Sequence, residues 1–236
     1  MTAPWTCEEV VKRLKLMGNP KAVEGAARFG IRVSGILGVS APNLRRLARE
    51  VGKDHALAGR LWTTGIHEAR VLAALIDDPA QVTPRQMEQW AGDFNSWAVC
   101  DAARCCLFDK TSYAWDKAIE WTGREPEYVK RAGFVLMAAL AVHDKKAPDG
   151  RFEAFLPLLV QHAADERNFA KKAVNWALRQ IGKRNTRLNA LAIQTAQDIR
   201  RIDAKAARWI ASDALRELAS DTVQARLFVG RASPLA

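Results

Sequence analysis

Along most of the chain apolar residues recur at the three- and four-residue spacing of an α-helix, and no stretch reads as a β-hairpin. Short turn motifs interrupt this pattern: GNP at 18, GVSAP at 38, DDP at 77, DFNS at 93, REP at 124, APDG at 147 and GKRN at 182. The segments between them are about ten to eighteen residues long, the length of ordinary globular helices, and predict roughly a dozen helices. Ser40 ahead of Pro42, and Asp149 before an apolar run, read as cap residues.

A series of short helices joined by short connections predicts an all-α protein built from stacked helical pairs. Such pairs form a HEAT-like, armadillo-type curved solenoid, here one domain over residues 1–236. Segments opening near 95, 126 and 167 are spaced 31 and 41 residues apart, close to a HEAT-like period, without a shared consensus. An irregular all-α bundle is the alternative. A solenoid would line a concave surface with one helix of each pair, and such a surface suits an extended ligand.

Charge narrows the ligand. Lys and Arg number 36 against 26 Asp and Glu, for a formal charge of +10. Such an excess favours polyanions, nucleic acid first and acidic membrane surfaces second. The longest uncharged apolar run, AGFVLMAALAV at 132–142, has eleven residues, too few for the roughly 20 that cross a bilayer. The first twenty residues mix acids and bases into their apolar positions and lack a secretion signal's core. Three of the four cysteines (Cys7, Cys100, Cys105 and Cys106) fall within seven residues, which is not a disulfide framework. These features predict a reduced, cytoplasmic protein outside the membrane. No CxxC pair exists and His143 and His162 lack ligand spacing, so neither a metal nor a cofactor is expected.

Three segments carry candidate chemistry. In NSWAVCDAARCCLF, helical projection puts Trp97, Asp101, Arg104 and Phe108 on one face, with an indole and a carboxylate one turn apart; Cys106 faces away, as a core cysteine would, and Cys100 and Cys105 flank Trp97. The plain reading of this face is an Asp101–Arg104 ion pair beside a half-buried indole. In EPEYVKRAGFVLMAALAVHDKK, Lys130 and Arg131 are the last charges before the apolar run. A guanidinium that close to the interior needs a partner, either a protein carboxylate or a phosphate. In NFAKKAVNWALRQIGKRN, Ala170, Val174, Ala177 and Ile181 form the core stripe, while Trp176 lies on a second stripe with Lys172, Arg179 and Lys183. Lys171, Arg184 and Arg187 add to the positive charge, and the acids nearest in sequence are Asp165 and Glu166. Phosphate backbone fits this stripe; a solvated basic helix whose tryptophan packs on a neighbouring repeat is the alternative.

The chain resembles the AlkD family of DNA alkylation-repair glycosylases. The likeness rests on GILGVSAPNLRRLARE, LWTTGIHEARVLAALI, DFNSWAVCD, YVKRAGFVLMAAL and, most specifically, DERNFAKKAVNWALRQIGKRN. It implies a HEAT-like fold and an active cleft formed by Trp97, Asp101, Arg131 and Trp176. Catalysis would fall to Asp101, Trp97 and Trp176, and DNA binding to Arg131, Lys171, Lys172, Arg179, Lys183 and Arg184. An N3- or N7-alkylated purine is cationic and already a good leaving group, so a fixed carboxylate at the sugar suffices to stabilise the developing positive charge. The family resemblance implies catalysis from the sugar and backbone side, and nothing in the sequence signals a deep base pocket. The implied partner is double-stranded DNA carrying alkylated bases, and scanning it with one concave face requires no second subunit. Ala98 stands where some relatives carry a second acid. Two other classes share parts of this pattern. A non-catalytic protein recognising DNA structure would keep the basic stripe and tryptophans without Asp101, and a scaffold for acidic protein partners would keep only the charge.

Overall fold

The computed structural model describes residues 5–26 and 35–229, which contain α-helices and short 3-10 turns and no strand. The chain divides into two compact units, Met1–Tyr113 and Ala114–Ala236.

The first unit contains α1 (Cys7–Leu16), α2 (Pro20–Ala26), α3 (Ala41–Val51), α4 (His55–Thr63), α5 (His67–Ile76), α6 (Pro84–Gly92) and α7 (Trp97–Cys106), followed by a 3-10 turn at Phe108–Lys110. Helix α1 starts on a capping box in which Thr6 and Glu9 satisfy each other's backbone N–H groups. Ser40 caps α3 with Pro42 in its first turn, although the serine hydroxyl makes no capping bond. Helix α5 is central, packing against α3, α4 and α7. Leu57, Leu61, Leu72, Ile76 and Met87 are fully buried, each stabilising the unit by about 1.5–3 kcal/mol relative to exposure. Beside them Trp62 and Trp90 stack with ring centroids 3.9 Å apart.

The second unit contains α8 (Ala114–Glu120), a 3-10 turn (Trp121–Gly123), α9 (Glu127–His143), α10 (Asp149–Glu153), α11 (Leu156–Gln161), α12 (Asn168–Gly182), α13 (Thr186–Arg200), α14 (Lys205–Leu218) and α15 (Asp221–Val229). Helix α9 is buried continuously from Val129 to Ala141 because it packs against both α8 with its 3-10 turn and α12. Gly133 permits this close approach, since a Cβ there would sit 2.8 Å from the backbone nitrogen of Thr122. Helix α12 continues the stacking against α13 and α14, and its expected stripe of Ala170, Val174, Ala177 and Ile181 is fully buried.

Two local expectations change. The apolar run after Asp149 is two short helices, the second opening with Pro157 in its first turn, where a missing N–H is harmless. Pro148, not Asp149, precedes the first of them. The Asp149 carboxylate instead accepts from Asn185 Nδ2 at 2.9 and 3.0 Å, and Asn185 Oδ1 caps α13 by accepting from Leu188 N at 2.9 Å.

Candidate functional site

In the first unit α7 begins at Trp97, with Ser96 as its N-cap accepting from Val99 N at 3.3 Å. One turn on, Asp101 joins Trp97 on the wall of a cavity of about 580 Å³. Both side chains are half-buried. Ala98, Ala102, Cys105 and Cys106 share this wall. Helical projection had grouped Trp97 and Asp101 with Arg104 and Phe108; the structure buries Arg104 and Phe108 in the interior, 2% and 0% exposed. The row facing the cavity therefore runs Trp97, Asp101, Cys105, a 4,4 spacing. Cys100 is a core residue and Cys106 reaches the cavity, which reverses the projected positions of these two cysteines.

The opposing wall comes from α3, α5 and the loop between 36 and 40, and it is apolar at Val39, Leu44, Val71 and Leu75. One buried carboxylate fixes that loop. Glu68, 2% exposed, accepts from Leu37 N at 2.9 Å, Gly38 N at 2.7 Å and Val39 N at 3.3 Å. Gly38 has φ +79°, and a Cβ there would lie 2.3 Å from the Asn19 carbonyl oxygen, so only glycine fits this turn. Burial lowers the pKa of His67, also on the cavity wall. Burial likewise pushes the Cys105 thiol up to about 11, with the Asp101 charge among the lesser contributors, and raises Cys106. Neither sulfur is a thiolate nucleophile near neutral pH.

In the second unit the first turns of α9 and α12 are bonded together. Glu127 Oε1 accepts from Phe169 N at 2.9 Å, and Arg131, 6% exposed, donates through Nη1 to the Phe169 carbonyl at 3.1 Å. Lys130 Nζ lies 3.3 Å from Asp165, whose other partner is Arg167. Hydrogen bonds from Arg167 hold the Asp165 carboxyl at a pKa of about 2.

Further along α12, Trp176 is half-buried and Lys172 exposed. With the Gln180 amide oriented to suit its neighbours, Gln180 Oε1 accepts from Trp176 Nε1 at 3.0 Å and Lys183 Nζ at 3.3 Å. Arg179 pairs with Glu217 and lies 3.6 Å from Asp213, and Lys183 Nζ is 2.5 Å from Glu217. Arg184 donates to the carbonyls of Ala141 and Ala147 at 2.7 and 3.4 Å and lies 3.9 Å over the Phe152 ring. Thus Lys172 alone of these five cations is exposed; Lys171, Arg179, Lys183 and Arg184 are half-buried, and the last three have hydrogen-bond or ion-pair partners inside the unit. Lys171 Nζ sits 5.9 Å from the ring of Trp209, which is 40% exposed.

Residues 10–218 match the family model for DNA alkylation repair enzymes. The chain belongs to that family. No curated protein sequence matches it. The fold of this DNA alkylation repair family member is similar to that of a solved structure described as representing "a new family of proteins related to the HEAT-like repeat DNA glycosylases with affinity for branched DNA structures". The TM-score is 0.77 at 17% identity, covering 94% of this chain and 96% of the other. At that identity the likeness establishes a HEAT-like fold and nothing finer. Sequence reasoning missed Glu68 in the first unit and Glu217 in the second. Glu68 had a signal, an acid inside the apolar HEARVLAALI segment; Glu217 had none, being 34 residues from Lys183.

Proposed function

We propose that the protein is a monofunctional DNA glycosylase that hydrolyses the N-glycosidic bond of cationic N3- or N7-alkylated purines in duplex DNA. One observation carries this reading: Trp97 and Asp101 stand one turn apart on the wall of a preformed cavity, in a chain of the DNA alkylation repair family. As the bond from C1′ to the purine nitrogen breaks, its electron pair leaves with the base and neutralises it. Positive charge moves to the sugar. The Asp101 carboxylate stabilises that charge and orients the water whose oxygen bonds to C1′, the proton that this water gives up passing through the carboxylate to solvent. Trp97 supplies an electron-rich indole for the cationic lesion, a contact worth about 0.5–2 kcal/mol depending on desolvation.

In the second unit Trp176 offers a further aromatic contact, and Lys171 and Lys172 take duplex phosphates directly. Arg131, Arg179, Lys183 and Arg184 join them by exchanging or sharing their present partners. A second reading, a non-catalytic protein that recognises DNA structure, draws support from the similar fold described as having affinity for branched DNA. Incubation with methylated duplex DNA separates the two. Release of free 7-methylguanine or 3-methyladenine supports the glycosylase, and tight binding to three-way junctions without base release supports the binder.

A further inference from the structure

The second unit holds a cavity that plays no part in the function proposed above. It has a volume of about 700 Å³ and lies where the C-terminal ends of α9 and α12 meet the segment 145–149, the first turn of α13, and α15. That size falls within the roughly 300–1,000 Å³ of sites that enclose small molecules. Helix α15 follows the residues 10–218 that match the family model, so the wall it supplies through Arg226 and Leu227 lies outside that match.

The charge of this cavity is unbalanced. Lys145, Lys183, Arg184 and Arg226 line it, with Asp149 as the one carboxylate among the lining residues. Lys183 has its counter-charge in Glu217. Arg184 directs its donors to the carbonyls of Ala141 and Ala147, which satisfy hydrogen bonds without supplying a charge. Asp144 is held by Trp115 Nε1 at 3.3 Å and the Ala147 amide at 3.0 Å, and does not line the cavity. Lys145 and Arg226 are exposed. Three cations thus stand against one carboxylate, an excess of two charges. A phosphate monoester, with about −1.5 to −2 charges near neutral pH and three acceptor oxygens, matches that excess. The first turn of α13, which opens on the cavity at Thr186, adds the positive end of a 15-residue helix. Val142, Pro148 and Leu227 give the cavity an apolar side, suited to the sugar and base that carry the phosphate.

We infer that this cavity receives a terminal phosphate, esterified on one side only, together with the nucleoside that bears it. A phosphodiester inside a strand carries a single charge and is held between two sugars, so it passes over a concavity that a strand end or a free nucleotide can enter. Position relates the site to DNA. Gln180 lines the cavity and accepts from Trp176 Nε1 at 3.0 Å, so a strand lying along Trp176 is one helical turn from the cavity. The inference goes beyond the glycosylase reading and does not depend on it.

The test compares, by fluorescence anisotropy, duplexes that differ only in carrying phosphate or hydroxyl at their strand ends, and, by calorimetry, deoxyadenosine 5′-monophosphate with deoxyadenosine. The wild type should prefer the phosphate-bearing member by about tenfold. Two variants change exposed side chains and should keep the wild-type melting temperature. Lys145→Ala combined with Arg226→Ala removes two cations, and Val142→Glu brings a carboxylate into the cavity; each should erase the preference. A preference for phosphorylated ends that the monophosphate competes away supports the inference with a strand end as the source, and a preference for the monophosphate alone supports it with a free nucleotide. No preference in either comparison overturns the inference, as does a preference that survives in either variant. Base release from covalently closed circular methylated DNA, which presents no terminal phosphate, tests the glycosylase reading separately.

Discussion

Glu217 on α14 lies 2.5 Å from Lys183 Nζ on α12 and also pairs with Arg179. Two cations of the basic stripe thus have their counter-charge built into the second unit. The pairs are largely shielded from solvent, with side-chain exposures of 16% for Lys183, 27% for Arg179 and 28% for Glu217. Glu217→Gln should therefore lower stability by about 1–3 kcal/mol and, by releasing both cations, raise duplex affinity at low salt. Thermal denaturation and fluorescence anisotropy at matched ionic strength check the two effects. Unchanged affinity would show that Arg179 and Lys183 take no part in DNA binding.

Lys172 is the exposed cation of the same helix. Because each phosphate neutralised releases counterions, Lys172→Ala should reduce the slope of log affinity against log salt by about one unit with no change in melting temperature. A slope equal to that of the wild type removes Lys172 from the DNA surface.

Asp165 gives a prediction in pH. Hydrogen bonds from Arg167 lower its folded pKa from the ordinary 3.8 to about 2. The carboxylate therefore binds fewer protons folded than unfolded in this window, so its contribution is fully present above about 4 and is lost as pH falls toward 2. The melting temperature of the wild type should drop across that interval more steeply than that of Asp165→Asn. Parallel acid limbs would contradict the assignment.

Glu68 should behave as the anchor of the cavity wall. In Glu68→Gln one acceptor oxygen remains for three amides and a donor is set against them, which should destabilise the first unit by about 1–3 kcal/mol. Amide hydrogen exchange at Leu37, Gly38 and Val39 should accelerate with it. Protection unchanged at these three positions would show that other contacts hold the loop.

The helical architecture was legible because its causes are local. The spacing of Ala170, Val174, Ala177 and Ile181 forecasts a buried stripe, and the apolar circumference of 132–142 forecasts an enclosed helix, which holds as far as Ala141 while Val142 is exposed. Trp97 and Asp101 were legible as a pair for the same reason, since one turn of helix fixes their neighbourhood. Which residues share their face was not, because spacings of three and four are nearly equivalent on a helix and packing alone turned Arg104 inward and Cys105 to the cavity. The partners of the basic stripe were illegible for a different reason. Glu217 and Asp213 meet α12 only after α13 and α14 have folded back upon it, and nothing in the neighbourhood of Trp176 announces them. The cavity wall likewise depends on tertiary contacts, with a glycine turn, an amide cluster and a distant carboxylate meeting at one loop.

Catalysis by a fixed carboxylate is the central claim, and single-turnover excision of 7-methylguanine by Asp101→Asn tests it most directly. The variant keeps the shape of the side chain, so duplex affinity and melting temperature should stay close to those of the wild type. The excision rate should fall by about a hundredfold to a thousandfold, the usual effect of removing one preorganised group that stabilises transition-state charge. Excision at the wild-type rate by a folded, DNA-binding Asp101→Asn would contradict the account.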